Sequence, residues 1–322
     1  MRGFLFIFMS EAISYLHALG KMPLSRYVRE CLYNPKFGYY AKKGVQRVGA
    51  AGDFYTSSSV NPEVFGALLL ESARAIAREK FGGDSGFEIC EIGAEPDAEL
   101  FAGSAVFRFC DSLELSGKLF LFSNELIDAQ PFDRFVFEGG KIYKTFVEFT
   151  ERGEAETSLE DCEACEREFL FENFPPASSR FTLDFSFDAL DLLRKICAQN
   201  WRGVLIFADY FRLLGEILEF PNGTARIYKK HRASSDIFFA PSECDITFSP
   251  TSEVFVELLR REGLIDAQCS AQGAFFMKNA AFCLRKIVES EGALSPRKRA
   301  LAELLSPSGM GEMFRILSAV KP

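Results

Sequence analysis

Apolar residues recur at helical spacing over residues 10–33, first in "AISYLHAL" and then in "LSRYVRECLY", with Pro23 at the turn between them. A longer amphipathic run, "PEVFGALLLESARAIAREKF" (62–81), predicts a helix opening at Pro62. After "GGDSG" the period becomes that of strands: "FEICEIGAE" (87–95), "AVFRFCDSL" (105–113) and "GKLFLFSNEL" (117–126) are short apolar runs. "RFVFEGGKIYKTFVEFTERGE" predicts a hairpin about Gly139-Gly140. Residues 151–178 are acidic, then proline-rich, and read as a surface excursion. A helix in "FSFDALDLLRKICAQNW" leads into the apolar strand "RGVLIFADYF" (202–211), and "DITFS" and "VFVELLRREGL" follow as strand and helix. "QGAFFMKNA", a helix at 295–305 and "EMFRILSAV" complete the chain.

Strands alternating with helices predict an α/β fold with a mainly parallel sheet. Ligands of such sheets sit beyond the carboxyl ends of the strands. Glu91–Gly93, Asp111, Asn124–Asp128 and Asp209–Tyr210 all fall at strand ends by this reading, along one edge.

The 322 residues, 48% of them hydrophobic, are enough for one large domain or two medium ones. A net charge of -8 argues against nucleic acid as partner, because neutralising phosphates takes a basic face. Nine cysteines without framework spacing suit a reducing compartment. Cys162 and Cys165 form a lone C-x-x-C, and no second pair at metal-ligand spacing follows, so no metal site is assigned. The opening "MRGFLFIFM" is too short to span a bilayer and no small-residue cleavage site follows. Residues 1–8 are therefore set aside as incidental, and a cytoplasmic protein with no membrane partner is expected. The 35 phenylalanines are read as aromatic strand packing.

Three stretches carry candidate chemistry. "EICEIGAE" puts an acid, Glu91, before Gly93, where a ligand could approach the backbone; the spacing alone does not separate this from an ordinary strand-end turn. "AGDFYTSSS" sets Asp53 in a loop too long for a plain connector, so that Asp53 or Thr56 either bonds a ligand or makes a solvated Asx turn. "SNELIDAQPF" ends an apolar strand in Asn124, Glu125 and Asp128. Two carboxylates and an amide can hold a guanidinium, or they can cap a following helix. The basic stretch "GTARIYKKHRASSDIF", with His231, reads as a solvated face that could also meet an acidic partner.

In order along the chain, "LYNPKFGYYAKKG", "AGDFYTSSSVNPEVFGALL", "EICEIGAE", "FSNELIDAQPFDRFVF", "IFADYF", "GTARIYKKH", "CDITFS" and "PSGMGEMFRIL" resemble the MidA family of S-adenosylmethionine-dependent methyltransferases. Its mitochondrial members are complex I assembly factors that methylate a protein arginine. The resemblance runs over nearly the whole chain. It implies an N-terminal helical cap and active-site loop over 1–85, followed by a Rossmann-like class I methyltransferase core over 86–322 with an inserted hairpin region at about 134–180. It also implies that Gly52, Asp53, Phe54, Thr56, Glu91, Gly93 and Asp111 serve the cofactor S-adenosylmethionine, while Asn124, Glu125 and Asp128 stand at the methyl transfer. A protein substrate or an assembly partner is expected, and a homodimer is compatible with it.

The chain departs from that family in two places. The glycine-rich turn after the first core strand keeps only Gly93, with Glu95, Pro96 and Asp97 where further glycines would stand. Only 25 residues separate Gly93 from Leu119, and one parallel crossover unit takes roughly 30. One helix–strand–helix portion is therefore expected to be missing, with the strand whose acid holds the cofactor ribose; Glu95 and Asp97 are the candidates to replace it. The alternative to an enzyme is a non-catalytic relative that keeps the fold as an assembly or interaction factor.

Overall fold

The computed structural model describes residues 10–42, 56–94, 100, 101, 104–107, 112–174, 180–229, 232–290, 292 and 294–322. The chain forms two compact units that interleave in sequence. One is built from residues 48–128, 189–214 and 250–322, the other from 1–47, 129–188 and 215–249. This differs from the expected split at residue 85, because the N-terminal helices join the segment expected as an insertion: Met22 and Pro23 pair with Val147 and Phe146.

The unit containing residue 93 holds a six-stranded sheet in the order Ile265–Ala271, Arg315–Lys321, Trp201–Asp209, Gly117–Asn124, Glu88–Ile92, Ala105–Phe107. The last four strands run parallel to one another, whereas Arg315–Lys321 and Ile265–Ala271 pair antiparallel. The sheets of the protein are thus mixed rather than mainly parallel. Antiparallel pairing enters where the chain returns along an edge and in every strand pair of the other unit among the described residues. Between Glu88–Ile92 and Gly117–Asn124, one strand is present among the described residues, as the short connection required.

The helix Pro62–Phe81 begins where its sequence predicts. Asn61 accepts from the Val64 amide at 3.0 Å, and Gly82 ends the helix in the left-handed conformation. Its face of Val64, Phe65, Leu68, Leu69, Ala73 and Ala77 packs in one core with Phe120, Phe122, Val204, Ile206 and Ile316 of the sheet. Burying such a face provides most of a helix's stability, since propensity alone is marginal in water.

In the other unit, helices Glu11–Leu19 and Leu24–Tyr33 pack Leu16, Leu24, Tyr27 and Val28 against Phe132, Val147, Phe149, Ile227 and Phe248. The hairpin about Gly139-Gly140 is present, with Phe137 opposite Ile142 and Glu138 opposite Lys141. The acidic segment does more than make an excursion: Ala155–Asp161 pairs along Lys141–Phe149, and Ala164–Asn173 is a helix. Phenylalanines do fill the cores, as in the stacked pairs Phe137–Phe181 and Phe87–Phe120.

A buried ion pair closes this unit. Asp184, whose side chain is fully buried, accepts from Arg134 Nε at 2.7 Å and Nη2 at 3.2 Å, and from the Ala225 amide at 2.7 Å. Gly223, at φ 85, leaves room for it, since a Cβ there would lie 2.4 Å from the carboxylate. Removing one partner strands a buried charge, so Asp184→Ala is expected to cost about 3–5 kcal/mol. Urea unfolding measures this, and a loss near zero would show that the pair is not needed.

Candidate active site

Parallel register aligns the strand ends. Glu91 lies opposite Phe122, and Asn124 lies opposite Ala208, so the turn at Gly93, the end of Gly117–Asn124 and Asp209 form one row. All belong to the same unit. Gly93 has φ 82, and a Cβ on it would meet Leu126 Cδ1 at 2.8 Å. The loop after Asn124 therefore packs directly on the glycine turn. Gly93 and the Asn124–Asp128 loop, two of the candidate groups, are brought together.

Glu125 is a non-glycine residue at φ 53, and its amide donates to Ala208 O at 2.9 Å. Left-handed backbone costs an ordinary side chain about 1–2 kcal/mol; such strain is held only where neighbours impose it, often at functional sites. Asn124 Nδ2 donates to Glu125 Oε1 at 3.0 Å, leaving Asn124 Oδ1 buried without a hydrogen-bond partner among the described residues. No helix begins here: residues 125–132 are turn and coil, so the helix-cap reading of these polar groups does not hold. Asn124 and Glu125 are half-buried, while Asp128 is 2% exposed.

Glu91 is buried and its carboxylate serves its own chain. It accepts from the amides of Leu100 at 2.9 Å and Phe101 at 3.0 Å, and from Ser104 Oγ at 2.9 Å. Its contribution to any ligand site is to shape the connection after Gly93. Thr56 is likewise occupied as the N-cap of Ser57–Val60, accepting from the Ser59 amide at 3.1 Å. Gly52, Asp53, Phe54, Asp111, Glu95, Asp97 and His231 lie outside the described residues. Of the basic stretch, Lys229 pairs with Glu243 at 2.7 Å, in keeping with a solvated face. Cys162 is buried and Cys165 exposed. Among the described residues no group of three or more His, Cys, Asp or Glu could hold a metal, and no helix is long and apolar enough to cross a membrane.

The strand-end acid Asp209, placed on the ligand edge by the sequence but given no role there, organises the loop. Its Oδ2 accepts from the Ile127 amide at 2.8 Å and the Asp128 amide at 3.4 Å, and its Oδ1 from the Tyr210 amide at 2.7 Å. The available signal was its place at the end of the apolar "IFADYF", matching that of Asn124. Burial pushes its carboxyl up to about 6, against the pull of those amides.

A family model described as "Putative S-adenosyl-L-methionine-dependent methyltransferase" matches residues 74–260, more than half of the chain. The chain belongs to this family. That bears out the resemblance to MidA methyltransferases seen in the sequence. Among curated proteins, a 56-residue stretch is 43% identical to the mitochondrial protein arginine methyltransferase NDUFAF7 of Danio rerio, covering 17% of this chain and 13% of that protein. A 78-residue stretch is 37% identical to the NDUFAF7 homologue of Drosophila melanogaster, also mitochondrial, covering 23% and 16%. The matches thus span less than a fifth of either relative. A crystal structure of a Burkholderia thailandensis protein, described as a "likely methyl transferase" bound to S-adenosyl-homocysteine, superposes with a TM-score of 0.80. It covers 96% of this chain and 92% of its own at 21% identity, which establishes a shared methyltransferase fold. A second structure from the same organism gives a TM-score of 0.76 at the same identity, covering 96% of this chain and 91% of its own.

Two outcomes follow from this geometry. Gly93→Ala is expected to destabilise by about 1–2 kcal/mol, and the part due to contact with Leu126 should vanish in Leu126→Ala. A double-mutant cycle would then show a coupling of about 0.5–1 kcal/mol; strict additivity would mean that the two do not touch. Asp209 holds a proton more tightly when folded than unfolded. Its contribution to stability is therefore full below the ordinary carboxylate range and is lost as pH rises through about 6. Relative to Asp209→Asn, the wild type should lose stability from pH 4.5 to 7 in parallel chemical denaturations, and a rising difference would contradict the shift.

Proposed function

We propose that this protein is an S-adenosylmethionine-dependent methyltransferase that acts on a protein arginine side chain. The observation that carries the reading is the Asn124–Asp128 loop, which sets two carboxylates and an amide beyond the ends of parallel strands and packs on Gly93. Membership of the family and the fold shared with a protein bound to S-adenosyl-homocysteine support it.

The residues fit the cofactor on two counts. Gly93, at φ 82, carries no side chain to hold a ligand off its backbone, and the three atoms nearest to an added Cβ are carbons of the Leu126 side chain. Asn124 Oδ1 is a buried acceptor that lacks a protein donor among the described residues, as a site for a ligand N–H would be. Gly93 and Asn124 would hold the cofactor, with Glu91 keeping the turn in shape. When bound, S-adenosylmethionine supplies an electrophilic methyl group on a sulfonium.

This chain's own residues supply the rest. Glu125 and Asp128 pair with the guanidinium and orient one nitrogen. As that nitrogen gains a carbon it must lose a proton. Glu125, half-buried and so in reach of solvent, accepts it at a carboxylate oxygen and passes it to water. Asp128, buried, keeps the pairing charge in place. The NDUFAF7 matches, both of arginine methyltransferases, favour arginine over other nitrogen acceptors.

Calorimetry with S-adenosyl-homocysteine on the full chain tests the cofactor, and transfer of labelled methyl from S-adenosylmethionine to an arginine-rich peptide tests the chemistry. Binding is expected in the wild type and in Glu125→Gln, with methyl transfer by the variant down about 100-fold or more. A folded wild type that binds no cofactor would refute the enzyme and favour the assembly-factor alternative.

A further inference from the structure

Residues 125–128 have no regular structure, and neighbouring groups impose their shape. The Glu125 amide is fixed on Ala208 O, and Glu125 takes a left-handed backbone that its side chain disfavours. Two residues later the chain is fixed again, by the amides of Ile127 and Asp128 on one oxygen of Asp209. Between these anchors Leu126 packs on Gly93. Asp209 is 1% exposed. A carboxylate so deeply buried is retained as an ion only where donors surround it, and here the amides of Ile127, Asp128 and Tyr210 supply them.

We propose that Asp209 is a positioning residue of the methyl-transfer site: its ionised carboxylate, through the amides of Ile127 and Asp128, holds Asn124 and Glu125 in their working orientation and Leu126 against Gly93. This rests on the methyltransferase reading above. Asp209 touches neither substrate nor cofactor in this role. Because the grip is on the backbone, it is indifferent to which side chains follow it, and it fails when the carboxylate takes up a proton or becomes an amide. A protonated oxygen loses acceptor strength toward two N–H groups, and an Asn Nδ2 would point a donor at them. The ionisable groups about Asp209 are Glu125 and Asp128 on the loop, Tyr210 beside it, and Arg315, its cross-strand partner, which in turn bonds Glu312 at 3.4 Å. Burial opposes its ionisation and the backbone amides favour it, so loss of the charge weakens the hold on the loop.

The test follows the backbone amide signals of Ile127, Asp128 and Tyr210 in the full chain by nitrogen–proton NMR from pH 5 to 8, with S-adenosyl-homocysteine affinity measured at each pH. The three signals are expected to shift on a single curve, and affinity to fall about tenfold on the acid side of it. Asp209→Asn should bind weakly at every pH, with no dependence across this range. Wild-type affinity that stays flat while the amides titrate would make Asp209 merely structural, and so would Asp209→Asn binding as tightly as wild type. If that variant does not fold, the wild-type titration decides alone. A wild type that binds nothing even at pH 8 refutes the methyltransferase reading and this role together. Binding that ignores pH refutes the role only.

Discussion

Gly117–Asn124 is hydrogen-bonded in parallel to Glu88–Ile92 on one side and to Trp201–Asp209 on the other, and the candidate site is a consequence of that double pairing. Parallel strands end on the same side of a sheet, so three chain segments remote in sequence must turn at one edge. What each turn contains is then a local matter: a glycine after the first strand, an amide and two acids after the second, an acid at the end of the third. The register Asn124 to Ala208 sets Asp209 level with Glu125, close enough for its carboxylate to reach the next amides.

Burial divides the acids of this edge by role. Glu91 and Asp209 are sealed from water, and each spends its lone pairs on the chain's own donors, shaping the connection after Gly93 and the loop after Asn124. Glu125 keeps access to solvent, which a group that must take and release a proton requires. The arrangement has a thermodynamic cost. Holding Asp209 ionised at neutral pH works against folding, because burial raises its affinity for a proton. A carboxylate kept where it lowers stability is what a trade of stability for site geometry looks like.

The other unit rests on different means. Its sheets are antiparallel, its core mixes aliphatic and aromatic side chains, and the Arg134–Asp184 pair is buried with the Ala225 amide and the space left by Gly223. The acidic strand Ala155–Asp161 was not legible beforehand for a clear reason. It lies at the margin of its sheet with most of its side chains in solvent, so it carries no alternation of apolar and polar positions for a reader to detect.

Local chemistry was enough to fix several elements. The helix Pro62–Phe81 follows from its proline, its asparagine cap and its apolar stripe, and the hairpin from Gly139-Gly140, because both are set by interactions a few residues apart. The order of short motifs was enough to place the chain among the methyltransferases, and the brevity of the segment after Gly93 was enough to show that only one strand fits there. Strand direction, the interleaving of the two units and the duties of Glu91 and Asp209 were decided only by tertiary structure. Each depends on which distant backbone groups come within 3 Å of a side chain, as the amides of Ile127 and Asp128 do for Asp209 some eighty residues on, and no local pattern encodes that meeting.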